Sequence, residues 1–133
     1  MMAPDRKEMG ILDNEGTYFI GSTSECAKER GWFFGSFMDE TLLRSHQVEV
    51  AWQHLPNVVP QTKERHFHQG SVEINIVVSG RVRVAINDTE YCLGAGDFYV
   101  IWPLTTVEML STDVEAAVIV VRSPSLYDKQ IVS

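Results

Sequence analysis

The sequence predicts an all-β protein that folds as an antiparallel barrel or sandwich. From residue 47 onward, short stretches rich in β-branched and aromatic residues alternate with turns that contain Gly, Pro, Asn or Asp. About eight to ten such strands, with little helix between them, are typical of these two architectures. The chain has 133 residues, which is the length of one domain with one hydrophobic core.

The composition changes along the chain and divides it into three parts. We expect residues 1–16 to be a flexible segment, because they are polar and contain glycine. Residues 17–122 are expected to form a single barrel domain, and residues 123–133 an irregular tail. At the start of the domain, residues 17–22 have the composition of a short strand.

A short N-terminal helix is the one helical element that the sequence predicts clearly. Ser22 and Glu25 have the spacing of a capping box, in which the two side chains satisfy backbone N–H groups at a helix start. Gly31 follows at the position where a helix commonly ends. Residues 22–31 are therefore expected to form one or two helical turns.

Charge and cysteine content limit the classes of partner and the cellular location. The formal net charge is −7, which argues against nucleic acid and against an anionic membrane surface as the main partner. The first ten residues are charged and do not resemble a secretory signal, and no apolar run approaches the ~20 residues of a membrane span. Cys26 and Cys92 have no paired spacing, so we expect reduced thiols in a cytoplasmic protein.

The segment KERHFHQGSVE contains the residues with the clearest chemical meaning. On a strand, residues two apart project from the same face, so His66 and His68 lie together. The next predicted strand alternates, with Glu73 and Asn75 on one face and an aliphatic row on the other. Burying these polar groups without partners would cost several kcal/mol each. A divalent cation would satisfy two imidazoles and a carboxylate together, and Fe, Mn, Ni or Zn suits such ligands.

The same residues resemble the first motif of the cupin superfamily. That motif is HxH, three or four residues, Glu, six residues and Gly, and a second motif begins with Gly-Asp and ends near Pro. The matching positions in this sequence are His66, His68, Glu73 and Gly80, followed by Gly96, Asp97 and Pro103. The likeness extends over most of residues 47–122. It implies a double-stranded β-helix, or jelly-roll, barrel with a metal held by both histidines and the glutamate.

The resemblance also implies a fourth ligand, a His near the end of the second motif. Val107 stands at that position, so the second motif lacks its histidine. Three outcomes stay open: a three-ligand site with additional water positions, a site completed by Glu108, His54 or another residue, or a metal-free cupin. In the last case His66 and His68 would bind an organic ligand.

Several other residues are candidates for contacts with a substrate or with a second subunit. Asn75, Tyr99 and Arg83 are expected to line the binding cavity, Asn75 because it shares a face with Glu73. The aliphatic row on the opposite face needs a cover, and the resemblance implies sheet-to-sheet dimers. We therefore expect a homodimer.

Two functions follow from these expectations. The first is a divalent-metal-dependent enzyme of dioxygenase, isomerase or lyase type, acting on a small polar organic molecule in the barrel cavity. The second is a non-catalytic cupin that binds a carbohydrate-like or carboxylate ligand, with or without a metal. A cupin-type sugar-nucleotide isomerase or epimerase, which uses His as a base without a metal, is a weaker alternative because those chains are usually longer.

Overall fold

The computed structural model of the protein describes residues 16–55 and 65–132, without the side chains of residues 27–29, 113 and 114. Strands dominate this part of the chain, and all the helical turns are of the 3₁₀ type. In chain order the elements are a first 3₁₀ helix (Thr23–Glu29), β1 (Trp32–Phe34), a second 3₁₀ helix (Thr41–Leu43), β2 (Glu49–Leu55), β3 (His66–His68), β4 (Val72–Ile86), β5 (Thr89–Gly94), β6 (Phe98–Ile101), β7 (Val107–Ser123) and β8 (Lys129–Ile131).

The strands form one curled, antiparallel, eight-stranded sheet. Five of them follow the order β1-β2-β7-β3-β8, and β4 joins β7 to β5 and β6. The two longest strands, β4 and β7, pair from Val72 with Ser123 to Ile86 with Val107. Register shifts along this pair mark β-bulges, which bend the strands and increase their twist. The prediction of an all-β fold is therefore confirmed.

The alternation of side chains along β4 separates an inner face from an outer face. Glu73, Asn75 and Val77 are buried, whereas Ile74 and Ile76 between them are 36% and 37% exposed. This agrees with the phase expected from the sequence, since neighbouring strand residues point to opposite faces. Aliphatic side chains of β2, β4 and β7 fill the interior. This core consists of Ala51, Leu55, Val77, Val82, Val84, Ala116, Val118 and Val120.

The local structure differs from the sequence-based expectation near both ends of the chain. The N-terminal helix is a 3₁₀ helix over Thr23–Glu29, in which the N–H of Glu25 donates to the carbonyl of Ser22. Residues 17–22 form no strand, because they have no partner strand in the sheet. The tail was expected to be irregular, but β8 pairs with β3 through its backbone, which requires no apolar pattern.

The structure bears on only some of the expectations about the cysteines, membrane spans, chain division and cellular location. Cys26 and Cys92 are both free thiols. Within the described ranges, no helix is long and apolar enough to cross a membrane. The three-part division of the chain and the cytoplasmic location remain predictions.

The outer face of the sheet carries an exposed apolar patch. Ile74 pairs in register with Val100, and Ile76 with Phe98, so their side chains lie side by side on the outer face. Phe98 is 66% exposed and Val78 is 40% exposed. Contiguous apolar patches of this kind mark interaction sites on soluble proteins. These five residues, Ile74, Ile76, Val78, Phe98 and Val100, are called the outer patch below.

The homodimer stays a prediction, and the outer patch is where we expect the second copy. Phe98→Glu should place a charge in the dimer interface and raise the dimer dissociation constant by roughly thirty-fold or more. Sedimentation velocity over a concentration series measures this constant. Tyr127→Glu is the matched control, because Tyr127 is an aromatic residue that is 90% exposed outside the patch. A wild-type monomer at all concentrations, or equal weakening by both variants, would contradict the prediction.

Gly80 on β4 lies so close to the backbone of Glu115 and Ala116 that any other amino acid at this position would collide with it. A Cβ atom there would lie 2.3 Å from the Glu115 carbonyl oxygen and 2.7 Å from the Ala116 Cα atom, and φ is +74°. Gly96 has a similar φ of +91°, but a Cβ atom at Gly96 would have nothing within 4 Å. We expect Gly80→Ala to lower the free energy of unfolding by roughly 2–4 kcal/mol and Gly96→Ala by roughly 1 kcal/mol.

Urea denaturation of both variants measures the difference between these two costs. Both substitutions share the strain of a positive φ, so the excess at Gly80 reports the contact with the Glu115 and Ala116 backbone. Equal losses would show that this contact relaxes without cost.

Candidate functional site

One end of the inner face is polar, and the strand registers determine which residues meet there. In one row, Glu73 of β4 pairs with Arg122 of β7, which pairs in turn with Glu49 of β2. In the next row, Asn75 of β4 lies beside Tyr99 of β6. His68 lies beside Glu73, and Asp128 lies on the other side of the His68 ring. These residues are called the polar cluster: Glu49, His68, Glu73, Asn75, Tyr99, Arg122 and Asp128.

His68 is oriented by Asp128. The side chain of His68 is 1% exposed, and its Nδ1 atom lies 2.9 Å from Oδ1 of Asp128. The other carboxylate oxygen of Asp128 accepts hydrogen bonds from the N–H groups of Gly70 and Ser71 at 2.7 and 2.8 Å. A carboxylate at Nδ1 favours the tautomer that carries its proton there. The Nε2 atom of His68 then presents a lone pair to the interior.

The environment of Asp128 keeps its carboxylate ionised. Burial by itself raises the pKa of Asp128, but the hydrogen bonds from Gly70, His68 and Ser71 outweigh burial. Together they lower the pKa to about 2. Asp128 is therefore a hydrogen-bond acceptor at neutral pH, and it fixes both the β3–β4 turn and the imidazole ring of His68.

Glu73 forms a buried ion pair with Arg122. The Nε atom of Arg122 donates to Oε1 of Glu73 at 2.8 Å. Burial raises the pKa of Glu73, but the positive charge and hydrogen bond of Arg122 outweigh it, and the net pKa is lowered. The same Oε1 atom lies 4.0 Å from Nε2 of His68. Glu73 is thus an ionised carboxylate that connects the arginine to the histidine.

The guanidinium of Arg122 is held from two further sides. Its central carbon lies 4.7 Å from the ring centroid of Trp32, a cation–π contact. Its Nη1 atom is 4.0 Å from Oε1 of Glu49, which is too long for a hydrogen bond. Burial raises the pKa of Glu49, and the charges of Asp128 and Glu73 act in the same direction, against that of Arg122. Glu49 and Glu73 therefore differ in their tendency to hold a proton.

Tyr99 and Asn75 complete the donors of the polar cluster. Burial and the negative charge of Glu73 raise the pKa of Tyr99 well above its ordinary value, so the phenol stays protonated. Asn75 is 5% exposed. Both side chains can donate hydrogen bonds to an oxygen atom beside Glu73.

Three buried polar atoms of the cluster have no hydrogen-bond partner among the described residues. They are Nε2 of His68, Oε1 of Glu49 and Nδ2 of Asn75, although the Asn75 amide is close enough to Glu73 to help lower the pKa of that carboxyl. Buried polar atoms in folded proteins are nearly always paired, and an unpaired one costs about 1–3 kcal/mol. A fourth such atom, Oγ of Ser111, lies outside the cluster, so most of the unpaired buried side-chain atoms of the described residues are gathered at this end of the inner face. The polar cluster is therefore the candidate functional site.

The structure brings together some of the residues that the sequence nominated as site residues. His68, Glu73, Asn75 and Tyr99 all belong to the polar cluster. The imidazole rings of His66 and His68 are adjacent, with centroids 5.3 Å apart in an edge-to-face arrangement.

Three other nominated residues lie outside the cluster. Arg83 forms an exposed ion pair with Glu90 at 2.9 Å. His54 is on the outer face and pairs with Glu115. Glu108 pairs in register with Ala85, away from His68 and Glu73. None of the three contributes to the inner face in this structure.

Sequence reasoning missed Arg122, Glu49 and Asp128. Arg122 is the one basic residue in the run EAAVIVVRS, and Glu49 occupies the inner phase of a strand whose outer phase is Val48, Val50 and Trp52. Both therefore gave a signal, a charge in a buried strand position. Asp128 gave none, because it lies in a polar tail and reaches His68 across 60 residues of sequence.

The fold is that of a jelly-roll barrel with a polar end on its inner face. The sequence matches the family described as "Cupin domain" over residues 57–121. The resemblance to the cupin superfamily, which the HxH motif and its glutamate predict, is therefore confirmed. No curated protein sequence matches the chain.

Solved structures of other proteins share this fold. An uncharacterized Klebsiella pneumoniae protein with a double-stranded β-helix domain is 18% identical over 88% of this chain and 99% of its own, with a TM-score of 0.62. A cupin protein from Bacteroides fragilis is 21% identical over 65% and 73% of the two chains, with a TM-score of 0.53.

A third similar structure is an enzyme from Streptomyces. This nucleoside dehydratase, solved as a variant with uridine, is 19% identical over 67% of this chain and 71% of its own, with a TM-score of 0.58. At these identities the three likenesses show a shared fold. The predicted jelly-roll barrel is confirmed.

The family resemblance implies a metal ion at His66, His68 and Glu73, but the residues present do not fit one. Within residues 16–55 and 65–132, no three His, Cys, Asp or Glu side chains form a group that could hold a metal ion. Glu73 already pairs with a guanidinium. A divalent ion that binds Glu73 would have to compete with that guanidinium, whose charge repels it. The metal site remains a prediction that this geometry does not support.

Asp128 should be more important for stability than a typical loop carboxylate. Asp128→Ala removes the acceptor for two backbone N–H groups and for His68, and leaves these groups unpaired in the interior. We expect the free energy of unfolding to fall by roughly 2–4 kcal/mol. Urea denaturation measures this loss.

Asp97→Ala is the matched control for this variant. Asp97 also accepts a backbone hydrogen bond, from Gly94 at 2.8 Å, but in an exposed turn. Its loss should cost much less, because water can replace it. Similar losses in the two variants would contradict the view that Asp128 anchors a buried network.

Proposed function

We propose that the protein binds a small, neutral, polyhydroxylated organic molecule in the polar cluster and acts on it by proton transfer at His68. The observation that carries this proposal is the set of unpaired buried atoms on His68, Asn75 and Glu49. A ligand whose hydroxyl and carbonyl groups reach these atoms would satisfy donors and acceptors together. Water would do so without specificity.

The charges in the cluster favour a neutral ligand over a carboxylate. The cluster contains three acidic side chains: Glu49 and Glu73 lie beside the guanidinium of Arg122, and Asp128 lies beside His68. A carboxylate ligand would add a further negative charge and would compete with Glu73 for Arg122. Hydroxyl groups both donate and accept, so they can bind to Glu49, Asn75 and His68 without adding charge.

His68 is the side chain best suited to a general base. Asp128 holds its Nδ1 atom, and the Nε2 atom faces the interior without a partner. A carboxylate that orients an imidazole and stabilises its protonated form is the recurring arrangement for this role. The neutral phenol of Tyr99, near Glu73, is a candidate hydrogen-bond donor to the ligand on the same face. Isomerisation and dehydration are reactions in which a general base of this kind can remove a proton.

The similar structures are compatible with this class of ligand. Uridine, which accompanies the Streptomyces nucleoside dehydratase, carries several hydroxyl groups and no charge. The fold is shared, so a ligand of that kind can be accommodated on a cupin scaffold. Fold alone does not assign a reaction, and the proposal depends on the residues of the polar cluster.

Two other functions compete with this proposal. The first is a metal-dependent enzyme, and the second is a non-catalytic binding protein. The unpaired Nε2 atom of His68 beside Glu73 could also bind a metal ion, so this feature fits the metal-dependent enzyme as well. Elemental analysis of protein purified without a histidine tag separates the first alternative from the proposal. Proton exchange into a bound ligand separates the second.

Titration calorimetry with defined probes tests the ligand class. We expect saturable binding of uridine or D-ribose. Oxalate should bind more weakly over the same range of concentrations. His68→Gln should raise the dissociation constant by about tenfold or more, because it removes an oriented hydrogen-bonding group. His54→Gln is the matched control, since His54 lies on the outer face. Preferential binding of oxalate, or equal effects of both substitutions, would contradict the proposal.

A second measurement addresses the proton transfer. The bound probe is incubated with the protein in D₂O, and loss of its C–H signals is followed by proton NMR with and without EDTA. Exchange that requires His68 and is insensitive to EDTA supports the general base. Binding without any exchange would favour the non-catalytic alternative.

A further inference from the structure

We propose that Arg122 takes the place of a metal ion in this barrel. Its guanidinium is the resident cation of the polar cluster, and it prevents divalent ions from binding at His66, His68 and Glu73. This inference concerns the charge inside the barrel and does not depend on the ligand proposed above.

The position of Arg122 is the first argument. Register places it directly across from Glu73 on the neighbouring strand, and its Nε atom donates to the carboxylate oxygen that faces His68. That oxygen is the atom through which Glu73 would bind an ion shared with His68. The guanidinium therefore already binds the Glu73 oxygen that would have to coordinate such an ion.

The side chain of Arg122 is also held in place from several sides. Groups from three strands contact it: Glu73 of β4, Glu49 of β2 and the indole ring of Trp32 of β1. The side chain of Arg122 is 19% exposed, so most of it is removed from water. A side chain enclosed in this way has one geometry, and withdrawing it would leave two buried carboxylates without a cation.

The electrostatic requirement of Glu73 is the third argument. A buried carboxylate needs an opposite charge, and either a divalent ion or an arginine can supply it. Arginine remains charged at all relevant pH values and is held covalently, so it is present at every moment. Once Arg122 satisfies Glu73, an incoming ion meets a repulsive charge and a ligand that is already engaged.

Val107 is an independent observation in the same direction. It stands where the resemblance places the fourth ligand, and its register partner is His66. A buried aliphatic side chain there offers no lone pair. The barrel thus lacks one metal ligand and contains a cation that blocks another, and both features disfavour an ion.

Metal binding to designed variants tests the proposal without any organic ligand. Mn²⁺ and Zn²⁺ are titrated by calorimetry into tag-free wild type, Val107→His, Arg122→Leu and the double variant. We expect no saturable binding in wild type or in Val107→His, and about one equivalent of ion in the double variant. Adding His68→Ala to the double variant should abolish that binding.

Arg83→Leu combined with Val107→His is the matched control. It removes an arginine outside the cluster, so it should bind no ion. Thermal denaturation checks that each variant is folded. Arg122→Gln replaces Arg122→Leu if the latter fails to fold, because an amide can still donate to Glu73 without a charge.

Two results would overturn the proposal. One is near-stoichiometric binding of Mn²⁺ or Zn²⁺ to wild type that is lost in a His66→Ala/His68→Ala variant. The other is a folded double variant that binds no better than Val107→His alone, since the charge of Arg122 would then not be what excludes the ion. The first result needs only the wild type and the His66→Ala/His68→Ala variant, whatever the Arg122 variants do.

Discussion

The antiparallel pairing of β4 with β7 is the interaction on which the rest of the structure depends. It extends from Val72 with Ser123 to Ile86 with Val107 and joins the two longest strands of the sheet. Because side chains alternate, its register decides which residues enter the barrel. A slip by one residue would bring Ile74 inward and expose Glu73, and it would separate Glu73 from Arg122. The hydrophobic core and the polar cluster are therefore specified by the same register.

Much of the fold could be predicted from the sequence because the strands carry their own pattern. The alternation of Glu73, Asn75 and Val77 against Ile74 and Ile76 gave the correct inner and outer faces. The exceptions are elements whose structure depends on distant partners. The tail pairs with β3 as β8 through backbone groups, which leave no mark in side-chain composition. The stretch 17–22 has strand composition but no neighbouring strand to join.

The candidate site was predictable only where a local motif marks it. His68 and Glu73 lie within one short segment, and parity alone adds Asn75. The residues that define their chemistry come from elsewhere: Arg122 meets Glu73 across 49 residues of sequence, and Asp128 meets His68 across 60. Contacts of this range depend on strand register, which a single sequence does not reveal. The motif thus indicated where a site would be, and the register determined which charges surround it.

The nature of the cation limits what chemistry the barrel can perform. A guanidinium offers a fixed charge and N–H donors, but it has no vacant coordination position with which to polarise an oxygen or activate water. With Arg122 as the resident cation, the remaining reactive groups are the imidazole of His68, oriented by Asp128, and the carboxyl of Glu49. Side chains of these kinds can transfer protons. A scaffold that holds a metal in metal-binding cupins would here favour acid–base chemistry, because one inner-face position carries an arginine and another carries a valine.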